Sequence, residues 1–429
     1  MRHVMTKRLL LSLIFLPVVP LLICMKADIS CSQEMRYFIP SYEGEELTKV
    51  REWEKQWAGK RVDKTNVDQI KDFLLPSQHR VMSDPQYLND DTWWFDIVPY
   101  TTAELSTGQM EMTRKYAPTA KVGEEETLIN YEDMAGFIFP DPKTGVEVAY
   151  NFDMLTKGDS RYERTCGSVI EPRMGFDREQ CRNRWEMFWV SRCFGDTIPK
   201  LPKNPKKFRR TLFSRITSPP DFVDQGILEI KYATNRESDM WFWMPRYRRI
   251  RRVERAARGD NIDGTELIRD DTDGWYDAIS SNTYKLMGRK DLLLVRHQND
   301  PSTTIERRKG SACLNGYKRE RINTYVVEAI NKDPNYTYSK QVWYVDPEQW
   351  MILIKQAWDE EGRLWRINEY CYQEVKSIDG EPAFIPASGL SIDVYGRHAS
   401  FNIVQENKDV GKILNKEIFT INYLQKFAY

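Results

Sequence analysis

Arginine is the residue most concentrated for chemistry in this chain: Arg246, Arg248, Arg249, Arg251, Arg252, Arg255 and Arg258 fall within thirteen positions. On a strand, Arg248, Ile250 and Arg252 share one face and Arg249, Arg251 and Val253 the other. Arginines on both faces place at least one set against a covered surface. They could pair with Glu229, Glu254 and the Asp270–Asp271 loop, or offer forked donors to a phosphate or carboxylate head group. For the second chemistry the candidate contacts are Arg246, Arg249 and Arg252. Asp260, Asp263, Asp270, Asp271 and Asp273 are as dense as a calcium loop, but the later bidentate Glu of an EF-hand is missing. A solvated loop is the plainer reading.

Residues that catalysis would need do not assemble. GxSxG, HExxH, a P-loop and a strand-preceded GxGxxG are all absent from the sequence. Tryptophan stands near carboxylates at Trp93–Asp96 and Trp358–Asp359, yet nothing selects one acid pair for glycoside hydrolysis. His3, His79, His297 and His398 are far apart, which disfavours a His-based metal site. Cys166, Cys181 and Cys193 share an Arg-rich stretch with no CxxC pair, so local disulfide stapling is preferred to zinc, with the pairing open. The expectation is a protein that is not an enzyme and needs no metal or cofactor.

These residues sit in a chain of 429, long enough for one large β domain or two ordinary ones. Hydrophobic residues are 41% and charged residues 29%, a globular balance. Lys+Arg and Asp+Glu are both 63, and that zero net charge argues against a nucleic-acid partner. Aromatics reach 12%, which suits sheet interiors or an apolar binding cavity.

Arg2, Lys7 and Arg8 precede an apolar run from Leu9 to Ile23, too short to span a membrane and interrupted by Pro17 and Pro20. Residues 1–27 read as a signal peptide, so export to the periplasm is expected. Residues 28–130 read as an N-terminal helical and extended arm. One helix covers Glu43–Trp57, with Leu47, Val50, Trp53 and Trp57 in a stripe; a second runs through Val67, Ile70 and Leu74 until Pro76 stops it. Residues 131–429 read as the β domain, with 156–220 as a Cys/Arg-rich loop insertion holding a short helix near Arg178–Arg192. Successive strands follow at Gly226–Asn235, Asp239–Pro245, Arg248–Glu254, Tyr284–Val295, Tyr317–Ile330, Tyr338–Val345, Met351–Trp358 and Leu364–Tyr372. Asp333-Pro334-Asn335 and Asp346-Pro347-Glu348 supply turn chemistry between them, which makes an antiparallel meander.

Several strands are apolar on both faces. Met240, Phe242 and Met244 oppose Trp241 and Trp243; Ile352, Ile354 and Trp358 oppose Met351, Leu353 and Ala357. A sheet with one face in water alternates more cleanly, so helices, a ligand or a partner must cover the second face.

The segment Asp239–Val253, a tryptophan-rich strand ending in proline followed by paired arginines, resembles a strand pair in an uncharacterised bacterial family. That family is labelled outer-membrane lipoprotein-sorting-protein-like. Gly136–Lys143 with Gly145 and Asn151, Tyr284–Leu292, Tyr338–Asp346 with Trp350, and Trp358–Trp365 match in the same order, from about residue 131 to 376. The 156–220 stretch does not align, and the Gly- and Thr-rich opening usual in the family is absent. The family is similar to Lol-type lipoprotein carriers. The resemblance implies a mainly β (α+β) fold: a curved, half-open antiparallel β-barrel covered on its concave side by helices, with an apolar hollow for acyl chains.

The expected function is binding and carrying a lipid, a lipoprotein acyl chain or another long apolar molecule. The chain would work in the periplasm, at or near the outer membrane, with inner- or outer-membrane export components as further partners. The expected ligand-binding residues are Trp241, Trp243, Trp343, Ile354, Trp358 and Trp365, with Arg246, Arg249 and Arg252 at the head group. Two alternatives are a non-catalytic adaptor subunit of an envelope transport complex and, less favoured, an envelope enzyme.

Overall fold

Helix caps and strand alternation account for most elements of the computed structural model, which describes residues 35–88, 93–171, 175–234, 236–253, 258–298 and 315–426. The unit from Arg36 onward holds every element named below. The signal-peptide reading, Cys24, Cys31, Glu254, Arg255 and Cys313 lie outside the described residues.

Helix α1 (Gly44–Trp57) forms where the stripe predicts and buries Val50, Glu54 and Trp57. Pro76 does not stop a helix; it starts α2 (Pro76–Ser83), because proline at the first position loses no needed N–H. Residues Val67–Phe73 are a 3-10 turn instead. After α3 (Pro85–Leu88), helix α4 (Thr107–Tyr116) opens on a capping box between Ser106 and Gln109, and α5 (Gly145–Met154) on one between Thr144 and Glu147.

Two short strands, β1 (Arg61–Val62) and β2 (Phe95–Ile97), precede the main run. That run continues as β3 (Ser160–Glu171), β4 (Gly175–Phe188), β5 (Phe208–Ser218), β6 (Gly226–Tyr232), β7 (Asp239–Met244) and β8 (Arg249–Arg252). It resumes with β9 (Asn282–Leu294), β10 (Lys318–Asn331), β11 (Lys340–Val345), β12 (Ile352–Trp358), β13 (Leu364–Lys376), β14 (Pro382–Asp393) and β15 (His398–Lys408). Together they build one open, curved sheet that does not close into a barrel. Among the described residues the main pairings are antiparallel, and β2 lies parallel to β10. The β9–β15 meander joins the β3–β8 meander where β15 pairs with β3.

Most of the 156–220 stretch is therefore strand and not a loop insertion: β3, β4 and β5 run through it, residues 189–207 connect β4 to β5, and Arg178–Arg192 holds β4 and the start of that connection in place of a helix. Cys166 and Cys181 face each other across β3 and β4 and form a disulfide, while Cys193 and Cys371 are free and buried.

Both faces of the sheet are covered, which explains the doubly apolar strands. Tyr344, Ile354 and Glu369 are in register on one face, and there Gln78 of α2 donates to Glu369 at 2.6 Å. Trp343 and Lys355 share the opposite face, where Phe152 of α5 meets the Trp343 ring at 6.1 Å. There Lys355 Nζ donates to the Gly274 carbonyl at 2.7 Å. In the β4–β8 half, Phe213, Leu228 and Trp243 pack against Leu414, Phe419 and Leu424 of the C-terminal segment. Their opposite face borders the candidate site. Among the described residues no helix is long and apolar enough to cross a membrane.

Candidate functional site

Where β3–β6, β14 and β15 curve past the segment that follows β8, packing leaves an open cavity of about 160 Å³. Its sheet wall carries Thr165, Gln180, Leu212, Ile227 and Val404, and its roof carries Ile262 and Leu267. Register puts these wall residues on one face: Thr165 opposes Arg182 and Val404, and Leu212 opposes Glu186 and Glu229. Thr165 Oγ1 and Tyr372 Oη are buried at this wall with no hydrogen-bond partner among the described residues. Both hydroxyls lie beneath the lining, out of reach of water, as buried polar groups without a partner.

The cavity floor is ionic. Arg184 reaches Asp273 at 2.8 Å, Glu163 at 3.0 Å and Glu186 at 3.3 Å. Arg161, fully buried, pairs with Glu163 at 2.9 Å and also meets Glu186; Arg210 meets Glu186 at 3.1 Å. Burial works to raise the Asp273 carboxyl, but Arg184, Lys157 and Arg161 outweigh it and hold the group well below its ordinary range. Burial also brings the Lys157 amine down to about 8, against the pull of Asp273. Such a network is costly to assemble and is weak evidence of stability. What it provides is a floor of paired charges beneath a lining in which Leu212, Ile227, Ile262, Leu267 and Val404 are apolar and Gln180, Arg178 and Arg182 are polar.

Asp270 and Asp271 are not in a solvated loop. They are 1% and 0% exposed, with Arg258 bonded to the first and Lys355 2.6 Å from the second.

A second pocket, of about 430 Å³, is larger but polar, lined by Tyr131, Asp153, Arg209 and Lys231. An acyl chain gains little against that lining.

None of the nine residues expected to bind ligand lines the first cavity. Trp243 is buried and Trp241 half-buried on the face opposite Ile227, against the C-terminal segment. Trp343 is fully buried beside α5, and Ile354 lies in the core under α2. Trp358 is half-buried beneath Lys340, and Trp365 packs on Tyr338 and donates to Asp393 at 3.1 Å. Arg246, Arg249 and Arg252 are exposed, and Arg252 pairs with Asp239. Trp243 and Trp343 are core, Trp241, Trp358 and Trp365 are half-buried, and the arginines are exposed; the two sets come together in register only where Trp241 stands opposite Arg252.

The β3–β5 residues that line the cavity, among them Thr165, Gln180 and Leu212, sat in the stretch read as loops. A signal was present: Arg161, Glu163 and Thr165, and again Arg178, Gln180, Arg182, Arg184 and Glu186, alternate with a period of two. The pattern is inverted, with charge facing the covered side, so a search for apolar alternation passes over it.

A protein family, described as a protein of unknown function (DUF1329), matches residues 61–425. The chain belongs to the DUF1329 family. No curated protein matches it. Among solved structures, a domain named for outer membrane lipoprotein sorting, from Vibrio parahaemolyticus, is 12% identical at a TM-score of 0.48 and covers 66% of this chain and 98% of its own. A DUF1329 family protein from Desulfovibrio piger is 16% identical at 0.47, covering 65% and 96%. A LolA superfamily protein from Nitrosomonas europaea is 15% identical at 0.41, covering 66% and 100%. The recognised resemblance and this family assignment agree.

Proposed function

We propose that this DUF1329 protein binds and carries a lipid or another long apolar molecule in the cavity between the β3–β6 wall and the Ile262–Leu267 roof. The observation that carries the reading is the cavity itself: a sheet covered on both faces leaves an open, partly apolar hollow with two unpartnered buried hydroxyls. Each methylene taken from water contributes about 0.8 kcal/mol, so even a short acyl segment offsets much of its ordering cost. The Cys166–Cys181 disulfide supports an oxidising compartment, in keeping with the export pattern of residues 1–27 and a periplasmic carrier.

Displacement of a fluorescent fatty acid tests this. The parent protein is expected to bind the probe, and Ile227→Trp, which fills the hollow, to weaken it about ten-fold or more with the fold intact. Undiminished binding in Ile227→Trp, or no binding by the parent, would remove the cavity as the carrier site.

A further inference from the structure

Ion pairing was the plain expectation for the arginine run, and the structure meets it only in part. Arg252 pairs with Asp239, and Arg258 with Asp270 and Asp277. Arg246, Arg248, Arg249 and Arg251 are all exposed and make no ion pair with any described residue. They flank the turn between β7 and β8, at the free edge of the sheet, and Tyr247 at the apex is 62% exposed. Gly226 is in register with Arg215 on one side and Trp243 on the other, so the β5–β6 turn lies at the same end of the sheet. That turn presents Phe222 and Val223, 38% and 37% exposed. At these two turns the unpaired carboxylate among the described residues is Asp221; Asp224 is held by Arg215.

We infer that this end of the sheet docks on an anionic lipid bilayer. Unpaired guanidiniums around an exposed aromatic apex match a surface with negative head groups above an interfacial apolar layer. An acidic protein or polymer would use the charge but leave Tyr247, Phe222 and Val223 without a role. Charges on an edge strand also discourage sheet-to-sheet pairing, but that needs no aromatic apex. The inference is separate from the cavity reading and survives or falls alone.

Vesicle flotation with the full chain tests it, using phosphatidylcholine vesicles with and without phosphatidylglycerol. Binding is expected only with phosphatidylglycerol and is expected to weaken as salt rises. The quadruple variant Arg246→Gln, Arg248→Gln, Arg249→Gln, Arg251→Gln should bind about a hundred-fold or more weakly, since each arginine contributes roughly five-fold at an anionic surface. The corresponding quadruple Lys variant should bind like the parent, because a bilayer reads charge and not a planar fork. Tyr247→Ser should lose the salt-resistant fraction. Ile227→Trp should float like the parent, which separates docking from cavity binding. The inference is overturned by equal binding to neutral vesicles, by a Gln variant that floats undiminished or merely self-associates, by a Lys variant as weak as the Gln one, or by retention on a polyanion column without flotation.

Discussion

Lys231 shows how far a single side chain can depart from its sequence-level reading. It alternates with Ile227 and Glu229 on β6, and polarity at alternate positions argues for water. Instead Glu229 is 3% exposed and Lys231 8%, with the Lys231 amine donating to the Asp277 carbonyl at 2.9 Å. Burial brings this amine from 10.5 down to about 7, against the pull of Asp153. Below pH 7 the folded and unfolded chains both hold the proton, and the burial penalty is fully felt. Between pH 7 and 10.5 only the unfolded chain holds it, so stability climbs with pH by up to about 1.4 kcal/mol per unit. Above that range neither state is protonated and the rise ends. Denaturation of parent and Lys231→Met between pH 7 and 10 should show the parent gaining on the variant; parallel curves would mean that Lys231 is not neutral in the fold. The period of two was legible in the sequence, but the side facing water was not, because the charges that match Lys231 come from distant parts of the chain.

Turns were read as spacers, and one of them is an anchor. Asp346-Pro347-Glu348 does connect β11 to β12, as its composition predicts. The fully buried Glu348 carboxylate also accepts from the Ser41 N–H at 2.8 Å, the Ala103 N–H at 2.6 Å and the Tyr100 hydroxyl at 2.7 Å. Arg296 balances it at 3.2 Å. This one side chain fastens the residues before β3 to the sheet across 245 positions of sequence. Local propensity gives the turn; nothing local gives its partners. Glu348→Ala strands two buried N–H groups and part of the Arg296 charge, so a loss of about 3–5 kcal/mol is expected by chemical denaturation. A loss under about 1 kcal/mol would show that the arm holds without it. Early proteolysis before residue 104 should accompany the larger loss.

Across the whole molecule, the β9–β13 meander was legible because its strands are apolar and Asp-Pro turns separate β10, β11 and β12. The β3–β5 wall was not, because its covered face is charged. The tryptophans read as lining because a sheet covered on both faces and a sheet around a ligand have the same apolar pattern. Charge on an inward face distinguishes them here.

The seam between β15 and β3 sets an order of events for chain synthesis. β3 spans residues 160–171, yet its neighbour on one side spans 398–408. The β3–β8 meander can form early, but β3 keeps an open edge until more than two hundred further residues have been delivered. Pairings so far apart in sequence are slow to close. A chain ending at residue 397 should therefore fail to unfold in one cooperative transition and should associate through the exposed β3 edge; a sharp monomeric transition would show that the seam is dispensable. Late closure also keeps the growing polypeptide threadable, loose until its last strand arrives.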